Sequence, residues 1–513
     1  MLKSDLIKIF QLLTEEDLRG LKKFVKSPLH NHRKDVKYLY EYLYNWRKKD
    51  AKKYSLDRVR VYEYLYPKED FDDAKLKHTM SYLLTGIRNY LINSELDKDQ
   101  NAKQIYLSKA IRVRGKNSDE IFLKTWKRGI SRLENDQLRT ANFYYDKFLF
   151  EQEYYAFQKN SIRLAKMDLQ NISNTLSLFF IAEILKQGCS ILSQKNVSPT
   201  RNDYLEDYHS EILLEAIKLI KKDTNKYEKH PAIGVYFHGY LAYKLILENE
   251  EESKGDILSD NNDDVFHFQK FNRIRLENKY HFPLSELRDI HTLALNYCIY
   301  KYRQELDITY LQAIFNLYEE GLTEGILLDD KGVLSPSNYK NALTAGLLLK
   351  QKEKTLTLLL KFEKKLDPEI RDYHRAILFF RTESYEKAME ILVYLMDKNK
   401  RRLTDYYDNL TARSMLSICF YELELVDELE SSLDNFIAYI ERHKKHIGNH
   451  KVNYLTFINY LTKLTQFRFY KNLWETSERL FAMNELLESI KSPTAFAEKG
   501  WLQGRITELI ENN

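Results

Sequence analysis

Three imidazoles in the segment ERHKKHIGNHK, His443, His446 and His450, have the only spacing in the chain that could gather a metal ion. Side chains three or four apart share one helix face, as zinc ligands require. Arg442, Lys444, Lys445 and Lys451 surround them, however, and a cluster of positive charge disfavours a cation. Basic residues in a last helical turn before Gly448 complement the helix dipole, and that reading is preferred; no metal is expected.

A second chemistry is electrostatic. Residues 1–60 hold 16 Lys/Arg against 8 Asp/Glu. Arg33, Lys34, Lys37, Arg47, Lys48 and Lys49, followed by Lys52 and Lys53, flank the aromatic segment 38–46. Cations for phosphates and ring faces for bases are what single-stranded nucleic acid needs, and the same patch suits an acidic protein. Against both stands helical periodicity. Tyr38, Leu39, Tyr42, Leu43 and Trp46 fall on one face as a core stripe, Tyr40 and Tyr44 fall off it, and lysines beside such a stripe are ordinary solvated side chains.

Other catalytic patterns are missing. The 15 glycines include no G-x-G pair and no phosphate-binding loop, and there is no G-x-S-x-G or H-E-x-x-H. The acidic stretch 248–264 holds eight acids and one Lys, without the alternation and terminal Glu of a calcium loop; it reads as a linker or exposed loop. The expectation is a chain without catalysis or cofactor that works by binding.

The elements that carry these residues follow from composition. With only 8 Pro and 15 Gly in 513 residues, there is little to build hairpin turns from, whereas helices exclude both types from their interiors. The expected class is all-α. Cys189, Cys298 and Cys419 are too few and too far apart for a disulfide framework or a zinc cluster. The N-terminus lacks an apolar signal core, and the charge-free stretch Leu169–Ala182 is too short and too polar to span a bilayer, so no membrane and a cytoplasmic address are expected.

Helix signals recur along the chain. Ser4 can cap a helix with Leu6, Ile9, Phe10 and Leu13 inward, and Thr14 with Asp17 forms a capping-box pattern for the next. The expected divisions are a basic N-terminal helical domain at 1–100, a middle region at 101–247, the acidic linker at 248–264 and a helical-repeat domain at 265–513. In the last, helices fall into pairs. Tyr373, Ala376, Ile377 and Phe380 face Tyr385, Ala388, Met389 and Leu392; then Ala412, Leu416, Cys419 and Phe420 face Leu429, Phe436 and Ile440. A weaker pair sets Tyr454, Phe457, Ile458 and Leu461 against Leu473, Leu480, Phe481 and Leu487. Gly500 and Gly504 suggest a tightly docked last helix anchored by Trp501. Steps of 32 and 40 residues between matching positions 356, 388 and 428 bracket the ~34 and ~40–47 of two known helical repeats.

The segment RAILFFRTESYEKAMEIL (375–392) resembles a tetratricopeptide unit, with small Ala376 and Ala388 at the helix crossing and Phe380 and Tyr385 beside the turn. More broadly, FVKSPLHN (24–31), SPSNYKNALTAGLLL (335–349) and YELELVDELESSLDNFIAYIERHK (421–444) resemble a family of uncharacterised bacterial helical-repeat proteins of about this length. That resemblance implies an α-solenoid, a tetratricopeptide-like right-handed superhelix of antiparallel helix pairs. Its concave groove would hold a protein or peptide partner, with nucleic acid at the basic N-terminal region as the alternative. It carries no established site.

Overall fold

The computed structural model describes residues 1–48, 54–114, 118–159, 169–197, 211–248, 264–396, 406–447, 450–491 and 496–512. Among them there is no strand, only an isolated bridge between Leu328 and Leu334, so the chain is all-α as its scarcity of turn residues requires. It forms two compact units, Met1–Glu183 and Ile184–Asn513, which part inside one long helix. The expected linker lies almost wholly outside the described residues.

The first unit opens with α1 (Asp5–Leu12), α2 (Glu15–Lys26), α3 (Lys34–Lys48), α4 (Arg58–Leu65) and α5 (Asp73–Lys98). At α2 the capping box forms as its residues demand: Thr14 Oγ1 accepts from Asp17 N at 3.1 Å and Asp17 Oδ2 accepts from Thr14 N at 2.8 Å. Ser4 precedes α1, but its side chain makes no capping bond. These helices share one core, built from Leu6, Phe10, Leu21, Leu39, Leu43, Val61 and Leu83 among others. The face of α3 differs from the expected stripe. Tyr40 is buried and Tyr38 is 47% exposed, because Tyr40 packs edge-on to Phe10 and donates its hydroxyl to Leu18 O at 2.6 Å.

Next come α6 (Gln100–Arg112), α7 (Asp119–Asn135) and α8 (Ala141–Gln158), packed on one another around Ile105, Leu133 and Phe150. Trp126 stacks on Tyr154 at 4.4 Å and donates its indole N–H to Phe150 O at 2.8 Å, which gives this polar-tipped ring both an apolar and a hydrogen-bonding partner. Helix α9 (Leu169–Val197) follows and runs across the division between the units. Its stretch Leu169–Ser193 is long and apolar enough to cross a membrane by length and composition, contrary to the expectation that no segment is; a third of it is buried within the protein.

The second unit continues with α10 (Glu211–Lys222), α11 (Thr224–Glu228), α12 (Pro231–Glu248), α13 (Asp264–Glu277), α14 (Leu284–Glu305) and α15 (Ile308–Thr323). Then follow α16 (Pro336–Leu348), α17 (Lys352–Phe362), α18 (Pro368–Arg381), α19 (Tyr385–Leu395), α20 (Tyr406–Glu422), α21 (Val426–Ile447), α22 (His450–Phe469), α23 (Thr476–Lys491) and α24 (Lys499–Glu511). From α12 onward each helix packs on its successor, and α12 with α14, α16 with α18, α20 with α22 and α22 with α24 also touch. Helix α16 starts as Ser335-Pro336 predicts, with Ser335 Oγ accepting from Asn338 N at 3.2 Å and proline where no amide donor is needed.

The pairing read from α18 and α19 is present, with Tyr373 buried and Ile377, Tyr385 and Met389 partly buried against the shared core. Ala376, Phe380, Ala388 and Leu392 are all buried, in a core that continues through Leu416, Cys419, Leu429, Phe436, Phe457, Leu461 and Ile506. In the weaker last pair Phe457, Ile458 and Leu461 are buried as expected, but the second half differs: Leu473, Leu480 and Phe481 are exposed, and α23 packs through Met483, Leu486 and Ile490. Gly500 and Gly504 have no neighbour within reach of a Cβ, so close glycine contact does not dock α24. Trp501 does. Its ring meets Tyr421 edge-on at 5.3 Å, and Glu422 Oε1 on α20 accepts from both Trp501 Nε1 and Arg505 Nε at 2.7 Å.

Candidate functional site

The basic residues proposed from sequence sit on the loop before α3 and along that helix, and several have internal partners. Arg33 forks onto Asp35 at 3.0 and 2.6 Å with its guanidinium 4.2 Å from the centre of the Tyr82 ring. Asp35 also accepts from Tyr66 at 2.6 Å and Thr79 at 3.0 Å. Burial opposes its ionisation, but the bonds from Arg33, Tyr66 and Thr79 outweigh it and hold the carboxyl well below its ordinary range. Arg47 donates to Phe10 O at 2.7 Å, satisfying one of the open carbonyls that end α1, and Lys48 pairs with Glu15 at 2.7 Å. Lys34 is exposed and Lys37 half-exposed, beside the exposed Tyr38. Lys49, Lys52 and Lys53 lie outside the described residues. Thus α3 uses Arg33, Arg47 and Lys48 to bind its own neighbours and leaves Lys34, Lys37 and Tyr38 facing outward.

Of the three spaced histidines, His443 and His446 ring Tyr406, with His446 stacked on it at 4.8 Å and His443 at 5.3 Å. His443 is also 4.5 Å from Tyr439. Partial burial, then Arg442, His446 and Arg413, push the His443 imidazole below its ordinary value, as expected among cations. The His450 side chain lies outside the described residues. Among the described residues no three His, Cys, Asp or Glu side chains are placed to hold a metal ion.

The densest polar chemistry of the second unit was not anticipated from sequence. It lies among α13, α14 and α15. Arg275 on α13 is 4% exposed and forks onto Glu320 of α15 at 2.8 and 3.1 Å, with Asn272 Oδ1 accepting two further N–H groups. On α14, His291 lies 3.3 Å from Arg275 through Nδ1 and 2.9 Å from Leu317 O through Nε2. A carbonyl can only accept, so Nε2 carries the proton and Nδ1 offers its lone pair to the guanidinium. Burial, then the charge of Arg275, keeps this ring neutral by pushing its pKa down. Gly321 makes room for it: a Cβ there would fall 2.7 Å from His291 Nε2 and 2.7 Å from Leu327. Gly321 is inside α15, and Gly325, with a positive φ of 74°, is the residue in the turn that follows.

Two more ties involve α14. Tyr236 on α12 donates to Glu286 of α14 at 2.8 Å, where Lys186 of α9 also reaches it at 3.4 Å. Tyr297 donates to Asp264 at 2.7 Å and Lys301 pairs with that carboxylate at 3.3 Å. From the end of α11, Glu228 meets His238 of α12, which in turn meets His267 of α13. One signal for these residues is present in the sequence: a histidine in each of two apolar runs, VYFHGYL and VFHFQKF. Nothing local says that the two rings meet.

The chain matches no protein-family model, no curated protein and no solved structure.

Proposed function

We propose that this chain is a non-catalytic helical-repeat scaffold whose second unit stacks antiparallel helix pairs into a tetratricopeptide-like superhelix and holds a protein or peptide partner in the groove. The observation that carries the reading is the order of packing from α12 to α24, in which neighbours in sequence are neighbours in space and α12 with α14, α16 with α18, α20 with α22 and α22 with α24 also touch. A hairpin of two helices cannot bury its apolar face alone; repetition supplies the next face, and the exposed edges of the stack become a long binding surface. The resemblance of 375–392 to a tetratricopeptide unit agrees with the buried small residues Ala376 and Ala388 at the α18–α19 crossing.

A second reading rests on the outward Lys34, Lys37 and Tyr38 of α3, which suit the phosphates and bases of single-stranded nucleic acid. Two measurements separate the readings. Native purification with chemical cross-linking gives cross-links from α12–α24 to a second polypeptide if the scaffold reading is right. A mobility shift of single-stranded RNA that weakens steeply with salt, and that Lys34→Glu with Lys37→Glu abolishes, in a protein that purifies alone, replaces it with the nucleic-acid reading.

A further inference from the structure

Where α11, α12 and α13 meet, a carboxylate and two imidazoles form one hydrogen-bonded chain beneath the surface. Glu228 Oε1 is 2.6 Å from His238 Nε2, and His238 Nδ1 is 2.9 Å from His267 Nδ1. His238 is 2% exposed and His267 9%. An ionised carboxylate only accepts, so Nε2 of His238 carries a proton. The neutral ring must then accept at Nδ1, and His267 must donate there. For His238 this assignment follows from the bonds at both of its nitrogens.

The chain counts protons. One added proton, on either imidazole, still leaves one lone pair between the two Nδ1 atoms, and the bond survives. Two added protons leave two N–H groups facing each other across a gap that fits only one hydrogen. The charges around the pair sharpen this limit. Glu228 from α11 favours the first proton, while Lys270 and Arg273 from α13 oppose it. From α14, Glu286 and Asp289 lie around Tyr236, with Lys186 of α9 against Glu286. Burial, the largest influence on His238, sets its imidazole below the ordinary value.

The element it secures is unusual. Every residue of α12 from 231 to 246 is buried, including Phe237, Tyr240, Leu241 and Leu245. A helix buried on all sides depends wholly on its neighbours for cover. We propose that the Glu228–His238–His267 chain is an acid-operated latch: it holds α12 against α11 and α13 while the two rings share at most one added proton, and the second proton opens the α12–α13 hairpin. The state so produced presents the apolar surface of α12.

The test is hydrogen exchange of the full chain followed by mass spectrometry at pH 7.5 and pH 5.0, with rates corrected for the intrinsic effect of pH. Peptides from α23 and α24, which contain no histidine, are the reference. In the unaltered protein, protection of α12 and α13 falls at least tenfold further than that of the reference. His267→Asn removes the drop, because an amide can donate to neutral His238 or accept from its protonated form. Glu228→Gln moves the onset to higher pH, because the closed state then lacks the carboxylate that partly offsets burial, Lys270 and Arg273 for the first proton. Equal loss of protection in α12–α13 and in the reference overturns the latch. So does a drop that persists in His267→Asn; should that variant not fold, an onset unmoved by Glu228→Gln has the same consequence.

Discussion

Removing Glu320 asks whether the Arg275 cluster stabilises the second unit or merely decorates it. Arg275 is 4% exposed, its fork meets Glu320 at 2.8 and 3.1 Å, and the carboxylate is only partly open to water. An exposed pair contributes about 0–1 kcal/mol and is screened by salt. A buried pair behaves differently, because removing one partner strands the other charge, at a cost of about 3–5 kcal/mol. Solvent reaches Glu320, so Glu320→Ala falls at the lower end, about 3 kcal/mol. In a unit of this size that lowers the midpoint of its thermal transition by about 5 °C. Arg275→Met with Glu320→Leu removes both charges, leaves only neutral acceptors unpaired, and should regain about 2 kcal/mol of the loss. Scanning calorimetry of the three proteins at low and 1 M salt makes the measurement. A loss below about 0.5 kcal/mol, or a loss that vanishes at 1 M salt, would place the pair among exposed ones and refute the reasoning. The pH dependence has a defined sign as well. Burial raises the Glu320 pKa, but the Arg275 hydrogen bonds and charge outweigh it, so the folded value lies below the unfolded one. Its contribution is complete above about pH 4.3 and is lost as the pH falls through the folded value; Glu320→Ala should lack that part of the acid limb.

Ala388 is fully buried at the α18–α19 crossing, and Ala388→Arg should unfold the C-terminal helices, seen as a loss of at least about 3 kcal/mol in urea titration; an unchanged midpoint would contradict the pairing. The three thiols are buried, and burial raises each of them, Cys298 and Cys419 to about 12. The native protein at pH 8 should therefore release less than about 0.1 equivalent of thiol to a disulfide reagent, rising to three per chain in guanidinium; fast native reaction at any one of them would place it at the surface.

The helices themselves were legible because they are local. Thr14 with Asp17 and Ser335 with Pro336 announce helix starts within four residues, and the four-residue spacing of Ala376 with Phe380 and of Ala388 with Leu392 marks a shared seam. Where the reading failed, a neighbour distant in sequence was the cause. Tyr40 goes inward and Tyr38 outward because Leu18 and Phe10 cover that side of α3, and both positions look equally apolar along the helix. Likewise Phe481 is exposed and Met483 buried because of where α22 and α24 lie against α23. The apolar content of Leu169–Ser193, underestimated when only its charge-free part was counted, emerges once Glu183 and Lys186 are seen as two charges within a long helix.

The basic patch shows the same limit in electrostatic form. A count of lysines and arginines registers charge but not its use, and Arg33, Arg47 and Lys48 spend theirs on Asp35, Phe10 O and Glu15. Composition and periodicity by themselves determined that the chain is helical, where many helices begin, and that α18 and α19 pair, since those properties depend on residues within one or two turns. Tertiary structure alone decided that Arg275, His291 and Glu320 converge, and that Glu228, His238 and His267 form a chain. Those contacts join residues up to 45 positions apart, and their chemistry exists only when burial removes the water that would otherwise satisfy each group separately.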